Sequence, residues 1–318
     1  MIDQKALERA LELVGGTSSG TRCLGGFDDS VFQVEINQKD YILKFYKMRE
    51  EESLRLQGEL DWITYLYDKG MKVARPMKNQ MDTYRAQVQG QENPYEVVLF
   101  EKVEGDRIDE RNWEKTLIEV WGQAMGRIHH LGKIYVPPDG GKIIRWDESD
   151  LMVNPPDHAP EKVIEVWNEY LERIGQLKEE SRGFGLIHHD LHHENLYFKE
   201  REAYLFDFGD TQYGRFVCDI AISMYHGVLA SQKSGEERHE FGELFLKHFM
   251  TGYERENKLA DGWREELEFF LKYRRIYSYL YLTRHLGEER LTVGVKGFLT
   301  EMEEVIINDR PFLEMQRT

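Results

Sequence analysis

The chain has 318 residues, of which 41% are hydrophobic and 31% are charged. This composition excludes a disordered chain, and the length suits one large domain or two lobes. The formal net charge of −16 argues against nucleic acid as a partner, because a phosphate backbone requires basic patches. Two cysteines are too few for a disulfide framework, and no apolar run is long enough to predict a membrane span. We therefore expect a cytoplasmic protein with no membrane partner; its oligomeric state is left open.

Strand and helix patterns alternate over the first hundred residues. The segment "MIDQKALERALELV" is typical of an amphipathic helix, and residues 31–46 alternate as a β-hairpin does around the turn "QKD". Helical spacing in "REEESLRLQGELDWITYLYDKG" predicts a principal helix that Gly70 ends. "YRAQVQG" and "YEVVLFEKV" predict two more strands. Residues 1–103 should therefore form a small, mainly antiparallel sheet with one main helix.

The pattern changes to helices from about residue 105. In "WEKTLIEVWGQAMGRIHHLG" the apolar residues form one stripe, so we expect this face to be buried; the stripe consists of Trp113, Leu117, Val120, Ala124, Ile128 and Leu131. "EKVIEVWNEYLERIGQL" and "WREELEFFLKYRRIYSYLYLTRHLG" show the same periodicity. Residues 186–208 are the exception, with strand patterns. Residues 104–318 should therefore form a larger, mostly helical lobe.

The segment "HHDLHHEN" contains four histidines around Asp190, which raises the hypothesis of a metal site. His188 and His192 have the i, i+4 spacing that a helix uses to present two zinc ligands. The preceding "GLI" predicts a strand, however, and no helical stripe follows. The segment also lacks the H-E-x-x-H order of zinc proteases. A metal cage, and with it a metallohydrolase, is therefore the weaker interpretation.

Spacing supports a second interpretation of the same segment, that of a kinase catalytic loop. His188, Asp190 and Asn195 follow the pattern H-x-D-x4-N, and a predicted hairpin then leads to Asp207 in "DFG". Phosphoryl transfer needs a carboxylate at the acceptor hydroxyl and oxygen ligands for Mg²⁺. We therefore predict an α+β, bilobal protein-kinase-like fold in which Asp190, Asn195 and Asp207 are catalytic and the last two bind the metal.

A kinase also needs a lysine for the phosphates of ATP. Lys44 shares the face of "YILKFY" with Ile42 and Tyr46, and a cation on such an apolar face needs a partner. Glu59 is our preferred partner over Glu52, which belongs to an acidic first turn of the same helix. The alternative is that Lys44 is a solvated lysine on an edge strand.

The stretch "LGGFDDSVF" precedes the lysine strand, where a phosphate-covering loop would lie. Gly26 would allow close approach of the backbone to a phosphate, and the Ser30 hydroxyl could donate to a phosphate oxygen. The stretch lacks the G-x-G-x-x-G pattern. An ordinary hairpin turn therefore stays open as an alternative.

Over nearly its whole length, the chain resembles the aminoglycoside phosphotransferase and choline kinase-like family. The resemblance rests on "IHHDLHHENLYF", "LFDFGDTQYGRFVCDIA", "YILKFY" and "VLFEKVEGDRI". It implies that Asp190 is the base, that Asn195 and Asp207 bind Mg²⁺, and that Lys44, oriented by Glu59, holds the phosphates of ATP. It also implies that backbone groups of Glu101 and Val103 bind adenine, and that Asp219 supports the catalytic loop from a helix start, with N-capping as its suggested role.

The chain departs from the family pattern at two points of the catalytic loop. His189 stands where the family usually has glycine, and "HHE" replaces a Pro-Gly segment, so the loop backbone is expected to differ locally. Asp207 and Asp219 are close in sequence, which leaves no room for a long activation segment. The resemblance therefore favours a constitutively competent enzyme.

The resemblance leaves the acceptor open. Family members phosphorylate hydroxyls of aminoglycosides, choline, homoserine or other metabolites, and "DRIDERNWEK" and "PPDGGKIIRWDESD" lie where acceptor-binding segments usually lie. We expect an ATP- and Mg²⁺-dependent kinase of a small-molecule hydroxyl. A stress-response-type Ser/Thr protein kinase is the alternative, followed by a nucleotide-binding pseudokinase that acts as an interaction module.

Overall fold

A computed structural model describes residues 2–26, 29–109, 112–156, 158–180, 182–286 and 291–313. The chain divides into two compact units. The first contains Met1–Gly105, Val136–Ile143 and Tyr204–Gly209. The second contains Asp106–Tyr135, Ile144–Ala203 and Asp210–Thr318. Each unit therefore combines segments that are far apart in the sequence.

The first unit is built on an antiparallel sheet. Its strands run in the order β1-β2-β3-β6-β4, and β5 also pairs with β6. The hairpin predicted for residues 31–46 is confirmed, since Val31 pairs with Lys44 and Ile36 with Lys39. The helices and strands of this unit before residue 105 are α1 Gln4–Val14, β1 Thr21–Gly25, β2 Val31–Ile36, β3 Lys39–Lys47, α2 Glu50–Asp68, β4 Pro76–Met77, β5 Arg85–Gln89 and β6 Pro94–Glu101.

Helix α1 covers one face of this sheet. It begins where the Asp3 carboxylate accepts the Ala6 N–H at 3.0 Å, and it ends at Gly15 in a left-handed conformation. The buried side of α1 belongs to one hydrophobic cluster with Leu43 and Phe45 of β3. Because side chains alternate along a strand, Lys44 lies on the opposite face of β3.

Part of the expected acceptor segment packs against α2 in the first unit. The Lys142 N–H donates to the Leu54 carbonyl oxygen at 2.8 Å. A Cβ atom on Gly58 would lie 2.5 Å from the Lys142 carbonyl oxygen, so glycine allows this close approach. Residues 136–143 therefore brace the helix that carries Glu59.

The second unit is mainly helical, with short strand pairs. Strand β7 pairs with β10, and β8 pairs with β9 in the hairpin predicted after Asn195. Strand β10 was expected to be helical, and that expectation is wrong. The elements after residue 105 are α3 Lys115–Gly132, α4 Asp150–Val153, α5 Glu161–Gln176, β7 Phe184–Ile187, β8 Leu196–Lys199, β9 Glu202–Leu205, β10 Gln212–Arg215, α6 Phe216–Ala230, α7 Gly235–Tyr253, α8 Trp263–His285 and α9 Val293–Ile307.

The predicted buried face of α3 is confirmed near the end of the helix and wrong by about one residue before it. Ile128 and Leu131 are buried as predicted. Leu117, Val120 and Ala124 are only half-buried, whereas their neighbours Ile118, Trp121 and Met125 are fully buried. One residue of an α-helix corresponds to a rotation of roughly 100°. The cause is the approach of α7: a Cβ on Gly126 would lie 2.5 Å from the Tyr253 carbonyl oxygen. The side of α3 that carries Gly126 therefore faces α7.

Within the described ranges, none of the helices has both the length and the apolar character that crossing a membrane requires.

Candidate active site

The catalytic loop follows β7 in the second unit and is held from α6. Asp219 accepts the backbone N–H of His188 at 2.9 Å and that of His189 at 2.8 Å. His189 has a φ of 65°, in the left-handed region where glycine is favoured. This accounts for the glycine that the family usually has here. The carboxylate of Asp219 fixes the unusual backbone that His189 adopts.

Asp219 is fully buried and has a third partner. His129 Nε2 lies 3.0 Å from Asp219 Oδ2, and His129 Nδ1 lies 2.8 Å from the Tyr253 hydroxyl. Burial is the largest single effect and opposes the charge of Asp219, but the hydrogen bond and charge of His129 together with the contacts to His188 outweigh it, so the pKa of the carboxyl group is lowered. The expected support of the loop is confirmed. The suggestion of N-capping is wrong, because the N-cap of α6 is Arg215.

Asp190 and Asn195 form a pair within the loop. The Asn195 side-chain amide donates to the Asp190 backbone oxygen at 2.9 Å and to Oδ2 at 3.2 Å. The amide nitrogen is therefore used inside the loop. Its oxygen, Oδ1, accepts no hydrogen bond from the described residues, which leaves it available to a hard cation. The donor chemistry of Asn195 fits a magnesium ligand.

His188 and His192 form hydrogen bonds within the catalytic loop. The Glu194 N–H donates to His192 Nδ1 at 3.2 Å, so the neutral ring carries its hydrogen on Nε2, which lies 3.3 Å from Asp190 Oδ2. His188 is buried, and its Nδ1 accepts the Asp190 N–H at 3.4 Å. Across the ranges that the structure describes, no three or more His, Cys, Asp or Glu residues are grouped so that they could hold a metal.

In the first unit, Lys44 pairs with the aspartate of the DFG sequence. Its Nζ lies 2.7 Å from Asp207 Oδ1. Strand β3 lies between β2 and β6, so the alternative of an edge-strand lysine is wrong. Burial is the largest single effect and disfavours the ammonium, but Asp207, Tyr46 and Glu59 together outweigh it and raise the pKa of Lys44 well above its usual value. Lys44 is therefore a charged ammonium that is paired with a carboxylate.

The two candidate glutamates of α2 differ in burial. Glu59 is 8% exposed and accepts a hydrogen bond from the Tyr46 hydroxyl at 3.4 Å. It also adds to the electrostatic stabilisation of the Lys44 ammonium. Glu52 lies in the first turn, 3.7 Å from a guanidinium nitrogen of Arg49, with its side chain 39% exposed. The burial and charge of Glu59 are consistent with the predicted role.

The remaining predicted ligands also lie in the first unit. Gly26, with a φ of 88°, and Ser30 belong to the connection from β1 to β2. Ser30 is held by its carbonyl oxygen, which accepts the Phe45 N–H at 2.9 Å, and it lines a cavity of about 530 Å³ with Glu59 and Gly209. Glu101 ends β6, and Val103 follows it.

A family model described as the phosphotransferase enzyme family matches residues 19–269. The chain belongs to this family. The match includes Lys44, the whole catalytic loop and Asp207, so the motifs on which the resemblance rested lie inside it.

Individual relatives extend this similarity over nearly the whole phosphotransferase. An amicoumacin kinase of Bacillus subtilis (strain 168) is 28% identical over 312 residues, which are 95% of this chain and 92% of the relative. A solved amicoumacin kinase in complex with AMP-PNP, Ca²⁺ and Ami has a TM-score of 0.90 at 26% identity, with 99% of this chain and 96% of that chain covered. A microcompartment-associated aminopropanol kinase has a TM-score of 0.74 at 19% identity, with coverage of 96% and 98%.

These comparisons confirm the predicted fold and enzyme class. The phosphotransferase is an α+β protein with the protein-kinase-like fold, and it is a small-molecule kinase that phosphorylates a hydroxyl.

The sequence interpretation missed the side chain on α8 that contacts Asp190, the predicted base. Arg274 donates from Nη2 to Asp190 Oδ1 at 2.8 Å, and the Arg274 side chain is 9% exposed. Burial opposes the charge of Asp190, but His192 and Arg274 outweigh it and hold the pKa of the carboxyl group far below its usual range. A signal was present in the sequence: Arg274 follows Leu267 and Leu271 at helical spacing, and a buried arginine needs a partner.

Proposed function

We propose that this phosphotransferase uses ATP and Mg²⁺ to phosphorylate a hydroxyl group of amicoumacin or of a closely similar small molecule. The observation that carries the proposal is the catalytic loop, in which Asn195 orients Asp190 through two hydrogen bonds. The choice of acceptor is supported by similarity over 95% of this chain and 92% of an amicoumacin kinase. We place the reaction in the cytoplasm, where ATP is abundant.

The proposed chemistry assigns one step to each side chain. The acceptor oxygen bonds to the γ-phosphorus of ATP, and the bond from that phosphorus to the bridging oxygen breaks, so ADP leaves with the electron pair. Asp190 takes the proton of the hydroxyl. Asn195 and Asp207 would hold Mg²⁺, and the ion would neutralise phosphate charge. Lys44, oriented by Glu59, holds the phosphates.

The nucleotide is assigned to the segment before residue 104. Gly26 and Ser30 approach the phosphates, and backbone groups of Glu101 and Val103 bind adenine. Residues 1–103 thus form the ATP-binding lobe, and residues 104–318 form the lobe with the catalytic loop and the acceptor site. The burial of Glu59 and the ion pair of Lys44 with Asp207 support this assignment.

The test is acceptor-stimulated release of ADP from purified protein. The panel contains amicoumacin, aminopropanol, choline, homoserine, an aminoglycoside and a Ser/Thr peptide, and mass spectrometry of the product should show a gain of one phosphoryl group. We expect the highest kcat/KM with amicoumacin. Asp190→Asn is the matched control, since it changes one carboxylate oxygen to an amide nitrogen in a side chain of the same shape.

Each other outcome points to a different function. A preference for another small molecule would replace the acceptor but keep the enzyme class. Transfer to the peptide alone would favour the protein-kinase alternative. ATP binding without turnover on any member of the panel would favour the pseudokinase.

A further inference from the structure

The proposed base has an unusually complete set of hydrogen-bond donors in the second unit. A carboxylate offers about four lone-pair directions. Asp190 Oδ2 receives the Asn195 amide at 3.2 Å and faces His192 Nε2 at 3.3 Å. Asp190 Oδ1 receives Arg274 Nη2 at 2.8 Å. In the described parts of the chain these are the side-chain donors to Asp190, so one direction is left, on Oδ1.

Arg274 is itself fixed by three elements. Besides Asp190, its Nη2 donates to His226 Nε2 of α6 at 2.9 Å, and its Nη1 donates to the His189 carbonyl oxygen at 3.3 Å. The guanidinium also lies against the Tyr277 ring, 5.3 Å from the ring centroid. A planar fork with several fixed partners has little freedom to rotate. Its position is therefore set before any ligand binds.

The partner on α6 is suited to this task. His226 Nε2 accepts a hydrogen bond from Arg274, so it carries no hydrogen, and burial with the nearby Arg274 charge lowers the pKa of His226 well below its usual value. A neutral ring accepts from the guanidinium, whereas a protonated ring would repel it. His226 thus accepts the hydrogen of Nη2 that does not point to Asp190.

We propose that Arg274, held by His226, is a positioning residue that turns Asp190 so that Oδ1 receives the proton of the acceptor hydroxyl. This inference rests on the proposed role of Asp190 as base. In a loose transition state the hydroxyl proton leaves late, so the direction of the carboxylate oxygen matters more than its basicity. Pairing with Arg274 lowers the basicity of Asp190 but fixes the direction of its Oδ1.

The neighbouring arginine provides a matched control. Arg275 is also buried on α8, but it donates to the carbonyl oxygens of Arg310 at 2.9 Å and Pro311 at 3.2 Å. It touches neither the catalytic loop nor α6 through a hydrogen bond in the described residues. Arg274→Ala and Arg275→Ala thus remove equal side chains from adjacent positions of one helix.

The experiment measures kcat and the KM of ATP with amicoumacin as the acceptor probe. For Arg274→Ala we expect kcat to fall about 100-fold, because a small displacement of a catalytic group has an effect of that order, while the KM of ATP stays unchanged. Added guanidinium chloride at millimolar concentration should restore part of kcat to Arg274→Ala and none to Arg275→Ala. An unchanged kcat in folded Arg274→Ala, or equal losses in the two variants, would overturn the inference.

Two further variants keep the test decisive if Arg274→Ala does not fold. Arg274→Lys keeps the charge but lacks the planar fork, so its kcat should fall; full activity would show that charge suffices and would overturn the inference. His226→Gln can still accept from Arg274 and should retain more kcat than His226→Leu, and the reverse order would also contradict it.

The unsubstituted enzyme separates this inference from the proposed function. If it transfers nothing to amicoumacin, the proposed acceptor fails. The same variants are then compared in hydrolysis of ATP, in which water replaces the hydroxyl at Asp190. If the unsubstituted enzyme is active and Arg274→Ala is equally active, the inference alone fails.

Discussion

Two carboxylate–cation pairs, one in each unit, use the same chemistry in opposite ways. Lys44 and Asp207 lie 2.7 Å apart with 22% and 51% of their side chains exposed, whereas Arg274 and Asp190 lie 2.8 Å apart with 9% and 24% exposed. In the first pair, Glu59 and the Tyr46 ring also lie near the Lys44 ammonium. The second belongs to a network with His226 and the backbone of His189. An open pair can exchange its partner for a metal or a phosphate, while a buried network keeps its geometry.

The largest expected effect separates the two aspartates by role. Asp190→Asn should lower turnover about 10³-fold, within the range of general-base catalysis, and leave the Kd of an ATP analogue unchanged. Asp207→Asn should lower turnover and also weaken Mg²⁺-dependent binding of the analogue. Steady-state kinetics and calorimetric titration, with and without Mg²⁺, measure both. Equal effects of the two substitutions on nucleotide affinity would remove the contrast.

Stability should distinguish the two cations. Arg274→Met leaves a partly buried carboxylate without its buried cation and should lower the free energy of unfolding by up to about 3 kcal/mol. Lys44→Met breaks a pair whose aspartate is half exposed and should lower it by about 1 kcal/mol or less. Urea unfolding of both variants beside the unsubstituted protein measures the difference. A larger loss for Lys44→Met would show that its pair is part of the fold.

The pH dependence of the free energy of unfolding should report how deeply His189 of the catalytic loop is buried. Burial lowers the pKa of His189 to about 4 from 6.5. Below pH 6.5 the unfolded chain therefore takes up a proton that the folded chain refuses until about pH 4. Stability should fall over this window, by about 3 kcal/mol at most.

The variant His189→Asn removes the imidazole that takes up this proton, and asparagine tolerates a positive φ. Its free energy of unfolding should fall less between pH 6.5 and pH 4 than that of the unsubstituted protein. His130→Asn, on the exposed side of α3, should keep the original pH dependence. A steeper loss in His189→Asn would contradict the assignment.

The smallest expected effect tests packing in the second unit away from the pairs. Gly126→Ala places a methyl group against the α7 backbone and should lower the free energy of unfolding by about 1–3 kcal/mol. Gly175→Ala, in α5 with open space around its Cα, should raise it by about 0.5–1 kcal/mol. Thermal unfolding of both variants checks the signs. Destabilisation by both substitutions would show that helix propensity alone does not explain Gly175.

Local patterns predicted more of the fold than of the contacts. Alternation in residues 31–46 placed the hairpin and the face of Lys44, because side-chain direction in a strand is fixed by the backbone. The buried face of α3 was predicted correctly at Ile128 and Leu131 but misplaced earlier in the helix, since Gly126 carries no hydrophobic side chain and only the approach of α7 shows why it is buried. Strand β10 was missed because its pairing with β7 is not local.

The sequence by itself determined the enzyme class. The spacing of Asp190, Asn195 and Asp207 is a property of the chain, and it predicted a kinase before any coordinates. The tertiary structure decided what surrounds these residues. Arg274 lies 84 positions from Asp190, and His226 lies on a third element, so no local pattern could join them. Their meeting depends on how α6 and α8 pack, which is set by the whole core of the second unit.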